Sequence, residues 1–268
     1  MSNALVLQHS PDFGPGRIIP VLRDFGVPIE IRQLWQGDEV PGDLDEVRVL
    51  IALEANHAIA DVNDSRFPYL AKEVSILQRM IAADRAVLGI GFGARLLAHS
   101  AGAKVYANVK PGAKPEDPPT PMPEYGWAPV TFPFPGGTEP IVFGMIDGTP
   151  MFHWHSETLD LPKLPAPANP PPPPAPPPPT GNALLSASRG TKNQAFRYKT
   201  RLFGFQYHFE LTQEEFEKIY ANQSETIGRV LGPDAEKKLR DETTRNYTRY
   251  ARAGDRIMNN FVQYLHAY

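Results

Sequence analysis

The stretch Val87-Leu88-Gly89-Ile90-Gly91-Phe92-Gly93-Ala94-Arg95-Leu96-Leu97-Ala98-His99 constrains the fold more than any other part of the chain. A short apolar run ends at Gly89, glycines alternate through a tight turn, and a helical pattern opens near Gly93 with Leu96 and Leu97 inward. Strand, sharp turn and helix in that order make a nucleophile elbow. Such a turn lifts one side chain over the carboxyl end of a parallel sheet, beside a helix N-terminus. In the Gly-x-Nuc-x-Gly spacing the raised position is Gly91. The turn is present and its reactive side chain is missing. Glycine also relieves the strained angles an elbow imposes on its central residue, by about 1 kcal/mol or more.

The segments around the elbow alternate strand and helix. Ala4 to Leu7 reads as a first strand. Gly14 to Phe25 reads as a helix with Ile18, Ile19, Val21, Leu22 and Phe25 inward, and Pro28 to Arg32 as a second strand. Asp45 to Leu53 holds Val47, Val49, Leu50, Ile51 and Leu53, an apolar run of the kind found in buried parallel strands. Ser65 to Ala83 places Leu70, Val74, Leu77 and Ile81 on one helical face, and Ala86 to Ile90 is the elbow strand. This alternation predicts an α/β fold: a flavodoxin-like, doubly wound, mostly parallel sheet with helices on both faces.

After Ala103 the texture changes. Val105 and Tyr106 start a strand, and residues 111–123 form a polar, proline-rich excursion. Residues 131–155 alternate turns with short apolar pieces, as in an antiparallel extension. Much of the chain's proline (30 residues) falls between Pro162 and Pro179, so residues 162–180 read as a solvent-exposed insertion, polyproline II or unstructured. The insertion lacks the flanking basic residues that would strengthen a reading as an SH3 ligand. Ala183–Ser188, Gln194–Tyr198 and Leu202–Tyr207 return to strands. Thr212 and Glu215 form a capping box that opens a helical extension over residues 211–268. Within it, Asp234–Arg252 and Gly254–His266 read as two separate helices, the second with an Ile257, Phe261, Leu265 stripe for the body or another subunit.

The 268 residues, net charge of −3 and 41% hydrophobic content suit one α/β domain over 1–268 carrying those two decorations. The balanced charge offers no footprint for nucleic acid. An apolar run of membrane-spanning length and a signal pattern are both absent, which makes a cytoplasmic location the expectation. The chain has no cysteine. That excludes a disulfide framework, a thiolate zinc site, and a displaced cysteine acting as nucleophile.

The elbow resembles the Gly-x-Cys-x-Gly-x-x-Leu-Leu-Ala signature of class I, triad-type glutamine amidotransferases, most closely their stand-alone GMP synthase-like branch. Leu5-Val6-Leu7-Gln8-His9 with Gly14-Pro15-Gly16 is similar to the first strand and turn of that branch. Glu124-Tyr125-Gly126-Trp127 is similar to its Glu-x-Gly-Trp strand, and Phe152-His153-Trp154-His155 to its His-Trp-His segment. Asn193-Gln194-Ala195-Phe196-Arg197 and Gly204-Phe205-Gln206-Tyr207-His208-Phe209-Glu210 are similar to its last two strands, so nearly the whole chain is covered in order. The resemblance implies that Gly91 stands at the catalytic cysteine position, that His208 is the residual base, and that Glu210 orients it. It also aligns the Gly-Gly-Pro oxyanion loop with Glu54-Ala55-Asn56. A carboxylate there opposes a developing oxyanion, and the reading expects this loop to fail as a donor.

The ligand-lining candidates are Glu54 (at the pocket rim), Phe92, Tyr125, Gly126, Trp127 and His155. His153, His155 and His208, with carboxylates nearby, have ligand types that suit Zn, Fe or Mn. The His-Trp-His pattern carries no metal in the family, so no metal and no cofactor is expected. His9 and His99 read as structural, and His266 as a solvated tail residue.

Three functions follow. The first is a non-hydrolytic relative that binds a small molecule in the pocket or serves a synthetase or other protein partner, with a homo-oligomer left open. The second is an enzyme with repurposed chemistry, a hydrolase or lyase using His208, Glu210 and Glu54, metal-assisted or not. The third is an active glutaminase supplying ammonia to a synthetase, for which the only hydroxyl near the elbow is Ser100. Neither nucleic acid nor a membrane is an expected partner.

Overall fold

The computed structural model describes residues 3–110, 118–164 and 181–267. Its elements in chain order are β1 (Asn3–Gln8), α1 (Ile18–Asp24), β2 (Ile29–Gln33), β3 (Val47–Ala52), α2 (Pro68–Ala82), β4 (Ala86–Ile90) and α3 (Phe92–Ser100). The short strands β5 (Val105–Ala107), β6 (Val109–Lys110) and β7 (Thr120–Pro121) lead to β8 (Glu124–Val130), β9 (Thr149–His155) and β10 (Glu157–Leu159). Then come β11 (Ala183–Ser186), β12 (Ala195–Tyr198), β13 (Leu202–Phe205) and β14 (Tyr207–His208), and finally α4 (Gln213–Asn222), α5 (Ser224–Leu231) and α6 (Ala235–Ala267).

Seven strands form the main sheet in the order β11-β12-β13-β4-β3-β1-β2. The run from β13 to β2 is parallel, and β12 and β11 add an antiparallel edge. The parallel strands, counted in chain order, stand 2-1-3-4-5, the flavodoxin-like arrangement. Alternation within each strand sorts the two cores. Leu5, Leu7, Leu50, Ala52 and Val87 pack with Leu70, Leu77, Leu96 and Leu97 of α2 and α3. Ala4, Val6, Val49, Ile51, Leu88 and Ile90 pack with Ile18 and Leu22 of α1 and with Ile257 and Phe261 of α6. Both faces are therefore dry, which is why β3 and β4 read as near-continuous apolar runs. A second sheet, β14-β9-β8, is antiparallel and projects from the carboxyl end of the first.

Several boundaries depart from the sequence reading. Helix α1 begins at Ile18 rather than Gly14. The residues before it dock on the start of α4: the Gly16 N–H donates to Glu215 Oε1 (3.1 Å) and the Arg17 N–H to the Glu210 carbonyl (2.8 Å). Helix α2 starts at Pro68, after a 3-10 turn over Ile59–Asn63, with proline in the first helical turn, where a missing N–H is harmless. The two expected terminal helices are one: α6 runs 33 residues, about 50 Å, without a break at Gly254. A Cβ at Gly254 would collide with the Phe209 carbonyl oxygen and lie 3.1 Å from its carbon. This glycine marks a close approach of α6 to the residues after β14, not a helix end. The capping box stands as read: Thr212 Oγ1 accepts from the Glu215 N–H (3.2 Å), and Glu215 Oε2 accepts from the Thr212 N–H (2.7 Å). Most of the proline-rich insertion (165–180), residues 111–117 and the side chain of His266 lie outside the described residues. Among the described residues no helix is long and apolar enough to cross a membrane.

Candidate functional site

The carboxyl ends of β3, β4 and β13 converge on one point, where ligands gather in open α/β sheets. Glu54 follows β3, Gly91 joins β4 to α3, and His208 lies in β14, immediately past β13. Gly91 has φ 60° and ψ −118°, a backbone that side chains adopt only under strain. Its N–H is held by the Phe205 carbonyl of β13 (2.8 Å), which ties the turn to the strand that leads to His208.

Glu54 is 1% exposed and reaches across to the turn. Its Oε2 accepts the Phe92 N–H (2.8 Å), the first residue of α3, and its Oε1 accepts its neighbour's Ala55 N–H (3.0 Å). Arg95 Nη2 lies 3.3 Å from Oε1, and His208 Nε2 lies 3.7 Å from Oε2. On its other side His208 Nδ1 meets Glu210 Oε1 at 2.7 Å, while Glu210 Oε2 accepts the Phe209 N–H (2.8 Å). The His208 ring stacks on Phe13, centroids 5.1 Å apart. The result is a buried chain, Glu210–His208–Glu54–Arg95, in which each charge faces an opposite one. Isolated charges are not tolerated at such burial, whereas a chain of this kind is. Burial alone would lower the His208 pKa. Glu210 and Glu54 outweigh it and hold the imidazole up at about 9, so at neutral pH it is a cation. A protonated imidazole cannot accept a proton as a general base.

Sequence reasoning placed Glu54 at a rim and expected its loop to lack an oxyanion donor. The structure buries Glu54 instead of leaving it at a rim, and it shows the loop's Ala55 N–H present but occupied by the Glu54 carboxylate. Glu54 is at the floor, and the Phe92 and Ala55 N–H groups both point inward, each already accepted by the Glu54 carboxylate. Beside this floor opens a cleft of about 470 Å³, bordered by Glu54, Arg95, Tyr125, His155, Glu157 and Arg229. Burial raises the Tyr125 hydroxyl pKa, and burial also raises that of Glu157, with Arg95 pulling Glu157 the other way.

The remaining candidates separate. Tyr125 and His155 border the cleft. Phe92 contributes its N–H to the site, but its ring packs edge-on against His9 and His57. Trp127 packs among Phe152, Phe216 and Tyr250 and donates to Thr243 Oγ1 (2.9 Å), a structural role. Gly126, at φ 97°, lies under Leu239 of α6. Of the three histidines weighed as metal ligands, His153 and His155 lie together with Glu124, while His208 turns to its two carboxylates. His9 pairs with Glu73 (2.7 Å), both fully buried. Arg95 and Arg229 were missed. The signal for Arg95 was a charge within the apolar face of the helix that opens at the elbow. Arg229, on α5, carried none.

This geometry can be set beside known proteins. No family model matches the chain. The glutamine amidotransferase-like protein YfeJ of Salmonella typhimurium is 23% identical over 226 residues, 84% of this chain and 82% of that protein. A solved glutamine amidotransferase from Thermotoga maritima superposes with a TM-score of 0.76 at 17% identity, covering 98% of each chain. The chain has the fold of the solved glutamine amidotransferases. A second solved amidotransferase, from Methylobacillus flagellatus, has a TM-score of 0.75 at 20% identity over 98% of this chain and 95% of that one. At these identities the solved structures establish the fold of the chain. Its chemistry has to be argued from its own residues.

Proposed function

We propose that this amidotransferase-like chain is non-hydrolytic and uses its cleft to bind a small polar molecule, alone or as the subunit of a partner such as a synthetase. One observation carries the reading: the Glu54 carboxylate lies on the Phe92 and Ala55 N–H groups, the donors that an amidotransferase aims at its oxyanion. A site built for acyl transfer keeps those donors free for charge that develops in the transition state. Here a resident charge occupies them in the ground state, and the chain has no thiol to form an acyl intermediate. The cleft beside them remains open and is bordered by charges of both signs.

Ammonia release from glutamine tests the reading, with and without added amine acceptors. The expected result is no turnover above background. Robust release by the unmodified chain would overturn the proposal. A second reading, repurposed chemistry, has one observation in its favour: Glu54 stands against a charged His208, a pair able to exchange a proton. Screening ester, amide and lyase substrates distinguishes it, since that chemistry would be lost in Glu54→Gln.

A further inference from the structure

Strand β9 carries His153 and His155 two residues apart, so both rings leave the same face, and β8 sets Glu124 directly opposite His155. The hydrogen bonds of the two rings determine which nitrogen is free. His155 Nδ1 lies 2.9 Å from the Glu157 carbonyl oxygen and so carries the proton. Its Nε2 is left as a lone pair facing Glu124 Oε2 at 3.4 Å. His153 Nε2 lies 3.3 Å from the Ala128 carbonyl oxygen, and its Nδ1 is buried without any partner. A lone pair that confronts a carboxylate is repelled unless something positive stands between them. The nearest donor, Gln194 Nε2, has two N–H groups to share among three acceptors, Glu124 Oε2 (2.6 Å), Ser188 Oγ (3.1 Å) and His155 Nε2 (3.4 Å), of which His155 is the most distant. The same amide leaves its Oε1 buried and unpartnered.

We propose that Glu124, His153 and His155 form a binding site for a divalent transition metal, Zn2+ in the first instance. One ligand atom from each of the three lies within 4.8 Å of the others, so a contraction of about 1 Å brings them onto one ion at the usual Zn–N and Zn–O lengths of about 2.0–2.2 Å. Two imidazoles and a carboxylate favour zinc and its neighbours over magnesium or calcium, which take oxygen sets. The surroundings are those a metal needs: two backbone carbonyls fix the tautomers of the rings, and Ser188 Oγ–H holds the free oxygen of Glu124 (2.7 Å). The Gln194 amide, turned over, presents Oε1 to the ion as a fourth ligand. His155 borders the cleft and the Glu124 side chain is 12% exposed, which provides a route of entry. This site is independent of whether the elbow is active, because none of its ligands touches Gly91, Glu54 or His208 through a hydrogen bond.

The test uses full-length, tag-free chain dialysed against a chelator and then titrated with Zn2+ and with Co2+. One equivalent of Zn2+ per chain is expected to survive gel filtration and to raise the melting temperature, since only the folded state binds. Co2+ is expected to give the visible bands of a low-coordinate nitrogen and oxygen site. Glu124→Gln and His153→Gln should each weaken Zn2+ binding by more than the roughly 10–100-fold typical of outer-shell changes. His99→Gln, on α3, should leave it unchanged. Absence of a retained equivalent and of cobalt bands in the unmodified chain would overturn the proposal even if a variant failed to fold. So would undiminished binding in both folded variants, which would mean an adventitious site elsewhere.

Discussion

The Glu54 carboxylate stands where a side chain at Gly91 would have to be. A Cβ built on Gly91 would overlap Glu54 Oε2 and lie 2.9 Å from Cδ and 3.2 Å from the Glu54 Cβ. As the two side chains stand they compete for one space: a side chain at 91 displaces the Glu54 carboxylate from its N–H partners and also takes up a positive φ.

Gly91→Cys alone should therefore give no glutaminase activity. It should also lower stability by about 1–3 kcal/mol, from overpacking and from a side chain at positive φ. Gly91→Cys with Glu54→Gly removes the collision and frees both N–H donors, so a trace of ammonia release is expected from the pair. Ala55 need not be changed, because its N–H already points inward. The check is ammonia release by the single and double variants, with urea unfolding alongside. Strong rescue by Gly91→Cys alone would show that Glu54 moves aside readily.

Glu54→Ala should cost about 3–5 kcal/mol, the usual penalty for breaking a buried ion pair. It leaves Arg95, His208 and two N–H groups facing a site that has lost its anion. Glu54→Gln keeps an acceptor oxygen and should cost less than the alanine variant. Urea unfolding at pH 7 ranks the two, and equal losses would mean that the charge contributes nothing.

His208 makes stability fall as pH rises. Its folded pKa of about 9 lies above the ordinary 6.5, so the folded state holds the proton more tightly than the unfolded chain. The contribution is complete below about pH 6.5 and is lost as pH climbs through about 9. It amounts to about 3–4 kcal/mol at most, from about 1.4 kcal/mol per pH unit. Denaturation midpoints between pH 6 and 9.5 should decline in the unmodified chain and flatten over that window in His208→Gln. Parallel profiles would remove the charge assignment.

Gly254→Ala sets helix propensity against packing. In an exposed helix interior this change stabilises by about 1 kcal/mol. Here the new methyl meets the Phe209 carbonyl, so a net loss of about 1–3 kcal/mol is expected. A raised melting temperature would contradict the close approach.

By itself, the sequence determined the order of strands and helices, the turn at Gly91 and the absence of a thiol, because each is written in local pattern: apolar runs in β3 and β4, glycine spacing at the elbow, the Thr212–Glu215 cap. Through its resemblance to the triad-type amidotransferases it also led to Glu54, His208 and Glu210. It misjudged α6, since a glycine that ends a helix and one that lets a helix lie against a carbonyl look the same without the partner. Tertiary structure alone decided that Glu54 is buried and accepts two N–H groups 1 and 38 residues along the chain. It also set Arg95 against Glu54 and grouped Glu124, 31 residues before His155, with β9. Those facts depend on which atoms meet across the sheet ends, and contacts between residues distant in sequence leave no periodicity to read.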